Sequence, residues 1–214
     1  MEDSTLAVAA VESVGERTVI IDFESPAAFA ARPGQFVKLT LDTPDGEESR
    51  FYTISSPDVD DTFEITVEID PDGDVGPVLA DLEAGDAVRV SGPFGSDYYE
   101  GEDPVVVLAG GPGVGPAVAI AERALDDGHE AVVVYRDDHP VHADRIERLR
   151  ERGATVAVLA DGESLGAAVE SALDRHGRDA PLFVYGFAEF IDAATAAIEA
   201  AGGDTSTAKI ENFG

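Results

Sequence analysis

The chain has 214 residues, 44% of them apolar, and a formal net charge of −30 from 44 Asp and Glu against 14 Lys and Arg. That length suits two small domains or one large one, and the apolar share supports a folded core in spite of the charge. The absence of cysteine excludes disulfides, thiolate nucleophiles and cysteine-held zinc or iron–sulfur centres within the chain, and the absence of a basic stripe argues against nucleic acid as a partner.

The N-terminal half reads as short strands. Leu6 to Val14, Thr18 to Phe23, Gln35 to Leu41, Phe51 to Ser55, Phe63 to Ile69 and Ala87 to Ser91 are rich in β-branched and aromatic residues. Turn chemistry separates them at Glu24-Ser25-Pro26, Arg32-Pro33-Gly34, Thr43-Pro44-Asp45-Gly46 and Asp70-Pro71-Asp72-Gly73. Close spacing predicts a small antiparallel β-barrel over residues 1–98, with one short helix near Val78 to Leu82. Ser96 to Asp103 is the expected inter-domain connection.

From Pro104 the rhythm changes. Apolar strands at Val105 to Ala109, Ala131 to Tyr135, Thr155 to Leu159 and Leu182 to Tyr185 alternate with helical stretches. These helices are Pro116 to Asp126, His142 to Arg152, Ser164 to His176 and Glu189 to Ala201, and Ala208 to Phe213 adds a last strand. This βαβ series predicts an α/β domain over 103–214 whose parallel sheet is covered on both faces. No run approaches the about 18 apolar residues of a membrane span. Met1-Glu2-Asp3-Ser4 lacks the basic-then-apolar pattern of a secretory signal, so a cytoplasmic location is expected.

Acidic residues run through every segment, and the only lysines are Lys38 and Lys209. So negative a surface repels itself at ordinary ionic strength. At molar salt the Debye length falls to about 3 Å and that penalty fades. The expected setting is a salt-saturated cytoplasm.

Two segments carry the chemistry. Arg50-Phe51-Tyr52-Thr53 offers a cation, an aromatic face and a hydroxyl within four residues. Gly110-Gly111-Pro112-Gly113-Val114-Gly115-Pro116 follows a strand and opens a helix, a turn stripped of side chains so that backbone N–H groups can meet a pyrophosphate. Pro116 suits a first helical turn, where its missing N–H costs nothing. The first segment suits a flavin and the second a nicotinamide dinucleotide. After the next strand come Tyr135-Arg136-Asp137-Asp138. Arg136, with Arg145, suits a 2′-phosphate, whereas the paired aspartates repel one, and Asp138 suits a free 2′-hydroxyl, so the balance favours NADH. His139 and His142 have no third ligand in view, and His129 and His176 follow helix ends.

These segments resemble the ferredoxin–NADP reductase superfamily, in which a flavin domain precedes a nicotinamide domain. Pro33-Gly34-Gln35-Phe36 resembles its turn before a barrel strand, and Arg50 to Thr53 its R-x-Y-[ST] flavin motif. Gly92-Pro93-Phe94-Gly95 resembles its barrel-closing segment, Gly110 to Pro116 its G-G-x-G-x-x-P turn, and Glu211-Asn212-Phe213 its terminal E-x-[FY]. The resemblance implies Arg50 on the FAD pyrophosphate, Tyr52 stacked on the isoalloxazine, and the Thr53 hydroxyl at N5. It implies a second phosphate turn at Gly76-Pro77-Val78-Leu79, where Leu79 lacks the expected hydroxyl, and backbone contacts from Val67 and Ile69. Gly111, Pro112, Gly113, Val114, Gly115 and Pro116 would hold the NAD(P)H pyrophosphate.

The family's C-G-P near the nicotinamide is replaced by Tyr185-Gly186-Phe187. Glu211 is implied in proton delivery through Thr53, and Phe213 in covering the ring. The implied activity passes hydride from NAD(P)H to FAD and electrons to an external acceptor such as ferredoxin, by a monomer. An NAD(P)H:flavin reductase and a flavin-binding electron-transfer subunit remain open beside it.

Overall fold

The computed structural model describes residues 1–214. It forms two compact units, Met1–Tyr98 and Tyr99–Gly214. The first unit holds β1 (Ser4–Ser13), β2 (Thr18–Glu24), β3 (Phe36–Thr43), β4 (Gly46–Thr53), β5 (Thr62–Glu68), α1 (Gly76–Ala80) and β6 (Ala87–Phe94). The strands lie in the order β4-β3-β6-β1-β2-β5, every pair antiparallel. Just beyond β4, Ile54 bridges Ile65, and the Ser55 N–H donates to the Glu64 carbonyl at 2.7 Å. The two edges thus meet and the sheet curls into the expected barrel. Alternate residues such as Ile21, Phe23, Val37, Leu39, Phe63 and Ile65 fill its interior. Leu79 of α1 is 1% exposed and plugs that core.

β4 begins at Gly46, five residues before the expected Phe51. Its first half, Gly46 to Arg50, is polar because β4 lies at the end of the sheet order, where little of it needs covering. The hairpin register runs to Thr43↔Gly46, leaving Pro44-Asp45 as the loop. Proline presets one turn position, and Gly46 takes φ +131°, which side-chain-bearing residues avoid. The helix α1 starts two residues earlier than expected, at Gly76.

The second unit holds β7 (Val105–Gly110), a 3-10 turn (Gly111–Gly113), α2 (Val114–Asp126), β8 (Ala131–Arg136) and α3 (Ala143–Glu151). There follow β9 (Thr155–Leu159), α4 (Gly166–His176), β10 (Leu182–Gly186), α5 (Ala188–Ala200) and β11 (Lys209–Asn212). The parallel sheet has the order β11-β10-β7-β8-β9. The chain walks outward from β7 to β9, then returns to β10 on the other side of β7. The strand order therefore reverses between β7 and β10, where open α/β sheets bind ligands beyond their carboxyl ends. The strands β7, β8 and β10 are buried almost throughout, but β9 and β11 are half-exposed edges rather than apolar strands covered on both faces.

The expected connection over Ser96 to Asp103 is only partly a linker. Tyr99 is buried, and its hydroxyl lies 2.8 Å from His129 Nδ1. Lys209 Nζ on β11 donates to Glu100 at 3.1 Å and Glu102 at 2.6 Å. Residues from Tyr99 onward are therefore built into the second unit.

Candidate functional site

In the first unit the pairing of β4 with β3 sets the faces. Arg50 lies opposite Leu39 and Tyr52 opposite Val37, so both stand on one face of the strand, Tyr52 half-buried and Arg50 exposed towards the hairpin end, whereas Phe51 and Thr53 pair with Lys38 and Phe36 on the other. Arg50 Nη1 donates to Glu48 Oε2 at 2.9 Å and to the Ser49 carbonyl at 2.8 Å. A guanidinium carries five N–H donors, so these bonds fix its direction without using up its capacity for phosphate. Tyr52 packs against the barrel core. Burial pushes its phenol up to about 12, against a smaller downward pull from Arg50, so its ring is neutral at every ordinary pH.

Phe51 is 60% exposed, edge-on to Phe36 at 5.5 Å and Phe94 at 6.2 Å. Thr53 is buried. Gly76 opens α1 where a Cβ would collide with the Asp70 backbone, so only glycine lets the helix start there. Pro77 is exposed, and Val78 packs against the same core as Tyr52. Val67 and Ile69 are core side chains, which leaves only their backbone to meet a ligand. A directed cation, a neutral phenol on the inward face and an exposed phenylalanine fit a flavin nucleotide, with its diphosphate on the guanidinium and its ring on the aromatics.

In the second unit the carboxyl ends of β7 and β10 meet at the reversal, with Ala109 paired to Tyr185. Three glycines allow close packing here. A Cβ on Gly110 would strike the Phe190 ring, and one on Gly113 would strike the Tyr185 carbonyl. One on Gly186 would stand 2.9 Å from Phe190 and 3.3 Å from the Gly110 carbonyl. Gly111 adopts φ +55°. The turn therefore rests on the backbone of β10, and Pro112, Gly113, Val114, Gly115 and Pro116 are buried where they enter α2. The first turn of α2 carries no carboxylate although the chain has 44, so the positive end of its dipole is not neutralised from within. Such a helix start can receive a pyrophosphate.

Tyr185 is 1% exposed and pairs with Glu211 across the β10–β11 ladder. Phe187 and Phe213 stand edge to face at 6.1 Å, and the Phe213 N–H donates to the Gly186 carbonyl at 3.0 Å. The structure thus brings Tyr185, Gly186, Phe187, Glu211 and Phe213 together beside the glycine turn.

On β8, Arg136 lies over the Phe190 ring at 5.2 Å, towards the β7–β10 reversal. Asp138 Oδ1 accepts from the Asp161 N–H at 2.9 Å. Arg145 is not a phosphate ligand in waiting: it forks onto Glu122 at 3.0 and 2.6 Å, the two side chains 12% and 15% exposed. His142 starts α3 at φ +58°, and burial, helped by Arg145, lowers its imidazole to about 3. Sequence reading missed Gly110 as a packing requirement and Phe190 as the floor of the crevice. Phe190 stands in an ordinary amphipathic helix, and only topology brings it beneath two glycines.

Residues 5–99 match the family model of the oxidoreductase FAD-binding domain, so the first unit carries a domain of that kind. Among relatives, the probable dihydroorotate dehydrogenase B (NAD(+)) electron transfer subunit of Methanopyrus kandleri is 38% identical over 136 residues, 62% of this chain and 47% of that protein. The toluate 1,2-dioxygenase electron transfer component of Pseudomonas putida is 31% identical over 140 residues, 64% of this chain and 39% of that protein. The chain thus spans less than half the length of these relatives.

Among solved structures, the flavohem-like FAD/NAD binding domain of nitric oxide dioxygenase from Vibrio cholerae superposes with a TM-score of 0.82 at 21% identity, covering 98% of each chain. A ferredoxin NADP+ reductase from Neisseria gonorrhoeae with bound FAD and NADP gives 0.79 at 17%, covering 100% of each. Both are likenesses of fold. They place the barrel and the parallel-sheet unit in the two-domain architecture of ferredoxin reductases.

Proposed function

We propose that this chain is an NAD(P)H-dependent flavoprotein reductase, passing hydride from the nicotinamide to FAD and electrons onward to a separate acceptor. The observation that carries the reading is the order of its parts: an FAD-binding oxidoreductase domain, then a parallel sheet whose reversal point carries a glycine turn, Gly110 to Gly113, packed on β10 and opening a helix. FAD, when bound, supplies the conversion of a two-electron hydride into electrons deliverable to the acceptor.

The protein's part is to bind and orient. Arg50 holds the flavin diphosphate with backbone at Gly76, Pro77 and Val78, Tyr52 and Phe51 pack on the ring system, and the Thr53 hydroxyl directs N5. Val67 and Ile69 contribute backbone. Gly111 to Pro116 hold the dinucleotide pyrophosphate, Tyr185, Gly186, Phe187 and Phe213 border the nicotinamide, and Glu211 carries a proton. Alignment of donor carbon and acceptor within about 3–3.5 Å is the main source of rate.

NADH is the favoured donor. Support for this comes from Asp138, held by the Asp161 N–H in the loop after β8, from Arg136, turned to Phe190, and from Arg145, engaged by Glu122. With no cysteine in the chain, the acceptor is outside it, and a small iron–sulfur protein such as ferredoxin fits. The charge of −30 supports a salt-rich cytoplasm as its setting.

Anaerobic mixing of the FAD-loaded protein with NADH or NADPH in concentrated KCl tests the reading. Bleaching of the flavin band by NADH supports it, and no bleaching by either donor refutes it. A second reading, an electron-transfer subunit that binds flavin without oxidising nicotinamide itself, draws support from the names of the two relatives and from Tyr185 and Phe187 in place of Cys and Pro. That reading expects the no-bleaching result. Loss of flavin during gel filtration, with turnover on free flavin, would instead mark a flavin reductase.

A further inference from the structure

We propose that Tyr135 is a positioning residue that braces the loop after β8 as an acidic platform for the adenosine ribose, and that this brace sets discrimination against a 2′-phosphate. The inference rests on the nicotinamide reading above and adds to it a residue that touches no ligand. Tyr135 is the next-to-last residue of β8, and Asp137 follows directly after the strand ends at Arg136. The Tyr135 ring is fully buried. Its hydroxyl donates to Asp137 Oδ2 at 3.0 Å and accepts from the Val141 N–H at 3.3 Å. One phenol oxygen therefore ties together both ends of the loop.

The remaining loop contacts point the same way. Asp137 Oδ1 accepts from the His139 N–H at 2.7 Å, and its own N–H donates to the Leu159 carbonyl at 2.9 Å. Asp138 is fastened to the next loop through Asp161. Two adjacent carboxylates are thus held in fixed directions, each keeping lone pairs for ribose hydroxyls. Their position is set by register: Arg136 pairs with Gly110, so the acidic loop and the glycine turn leave neighbouring strands at one level. A dinucleotide whose pyrophosphate meets the turn has its adenosine ribose at the end of the neighbouring strand. Fixed carboxylates there favour a free 2′-hydroxyl and repel a phosphate, and a loose loop would let them swing away.

The test uses the full chain in molar KCl, with ADP-ribose and 2′-phospho-ADP-ribose titrated by calorimetry, so that no flavin chemistry enters. The unsubstituted protein is expected to bind ADP-ribose at least about tenfold more tightly than its 2′-phosphate. Tyr135→Phe should cut that preference about fivefold, the scale of one lost hydrogen bond. Asp137→Asn keeps an acceptor for the phenol, guards against a Tyr135→Phe that fails to fold, and should cut the preference by improving the 2′-phosphate arm. Preference unchanged in both variants would overturn the brace while leaving the nicotinamide reading intact. Tighter binding of the 2′-phosphate by the unsubstituted protein would overturn the platform alone. Absence of binding by either probe would bring down the nicotinamide reading and this inference with it.

Discussion

Gly113→Ala tests the packing of the glycine turn without disturbing its backbone preferences. Gly113 has φ −59° and ψ −14°, which alanine adopts freely, so any cost is steric. The added methyl meets the Tyr185 carbonyl and stands 3.0 Å from the Tyr185 Cβ. These atoms belong to a buried strand hydrogen-bonded on both sides, by β7 and β11, so they do not give way. Relief must come from lifting the turn and the start of α2. Overpacking of this kind costs about 1–3 kcal/mol. At roughly 4 °C per kcal/mol for a unit of this size, the second unit should melt about 4–12 °C lower. Gly128→Ala is the control: φ is +83° with nothing within 4 Å, so only backbone strain of about 1 kcal/mol applies. Thermal unfolding followed by circular dichroism in molar KCl, with ADP-ribose titration, reads both. A Gly113→Ala protein that melts with the parent and binds ADP-ribose equally well would refute the packing argument.

Tyr52→Ala should raise the FAD dissociation constant about tenfold or more while the barrel still folds, because Tyr52 only borders the core; flavin retained normally through gel filtration would remove the stacking role. Thr53→Ala should slow flavin reduction in stopped flow more than it weakens nucleotide binding, with Thr53→Ser restoring the rate, and equal effects on both would argue against a contact at N5. His142 is held neutral by burial and, secondarily, by Arg145, with its pKa lowered from 6.5 to about 3. The unfolded chain therefore takes up a proton between those values that the folded chain refuses. Stability is fully present above about pH 6.5 and falls as pH drops toward about 3, by up to ~1.4 kcal/mol per unit. His142→Asn, which tolerates φ +58°, should flatten that fall in urea midpoints compared at about pH 7.5 and pH 4.5. Parallel pH profiles would show that His142 is not the group responsible.

The alternation of strands and helices was legible because burial imposes a period: two in the barrel, and continuous apolar runs in the central strands β7, β8 and β10. It failed where burial is absent. The polar half of β4, Gly46 to Arg50, carries no hydrophobic signal because an edge strand is specified by its hairpin and its ladder to β3. Tyr99 was hidden in an acidic linker because its anchor, His129, lies thirty residues away in sequence. The glycine turn was readable as a local pattern, but the reason for Gly110 was not, since it depends on a ring from α5 arriving beneath β7 and β10.

The two departures from the reductase pattern share one physical origin. Leu79 stands where a phosphate-binding hydroxyl was expected, and it is a plug in the barrel core. Tyr185 stands where a thiol was expected, and it is buried beneath the glycine turn with its backbone against Gly113. At both positions packing has taken the side chain, so any contact to a ligand there falls to the backbone. Backbone groups are supplied at both places, by Gly76 at the start of α1 and by Gly186 at the end of β10. On the proposed reading, binding strength is then carried by main chain and by the few directed side chains, Arg50, Tyr52 and the aspartates after β8. In a chain with 44 carboxylates, nucleotide selectivity cannot come from negative charge as such, which is everywhere. On the proposed reading it comes from which carboxylates are held still.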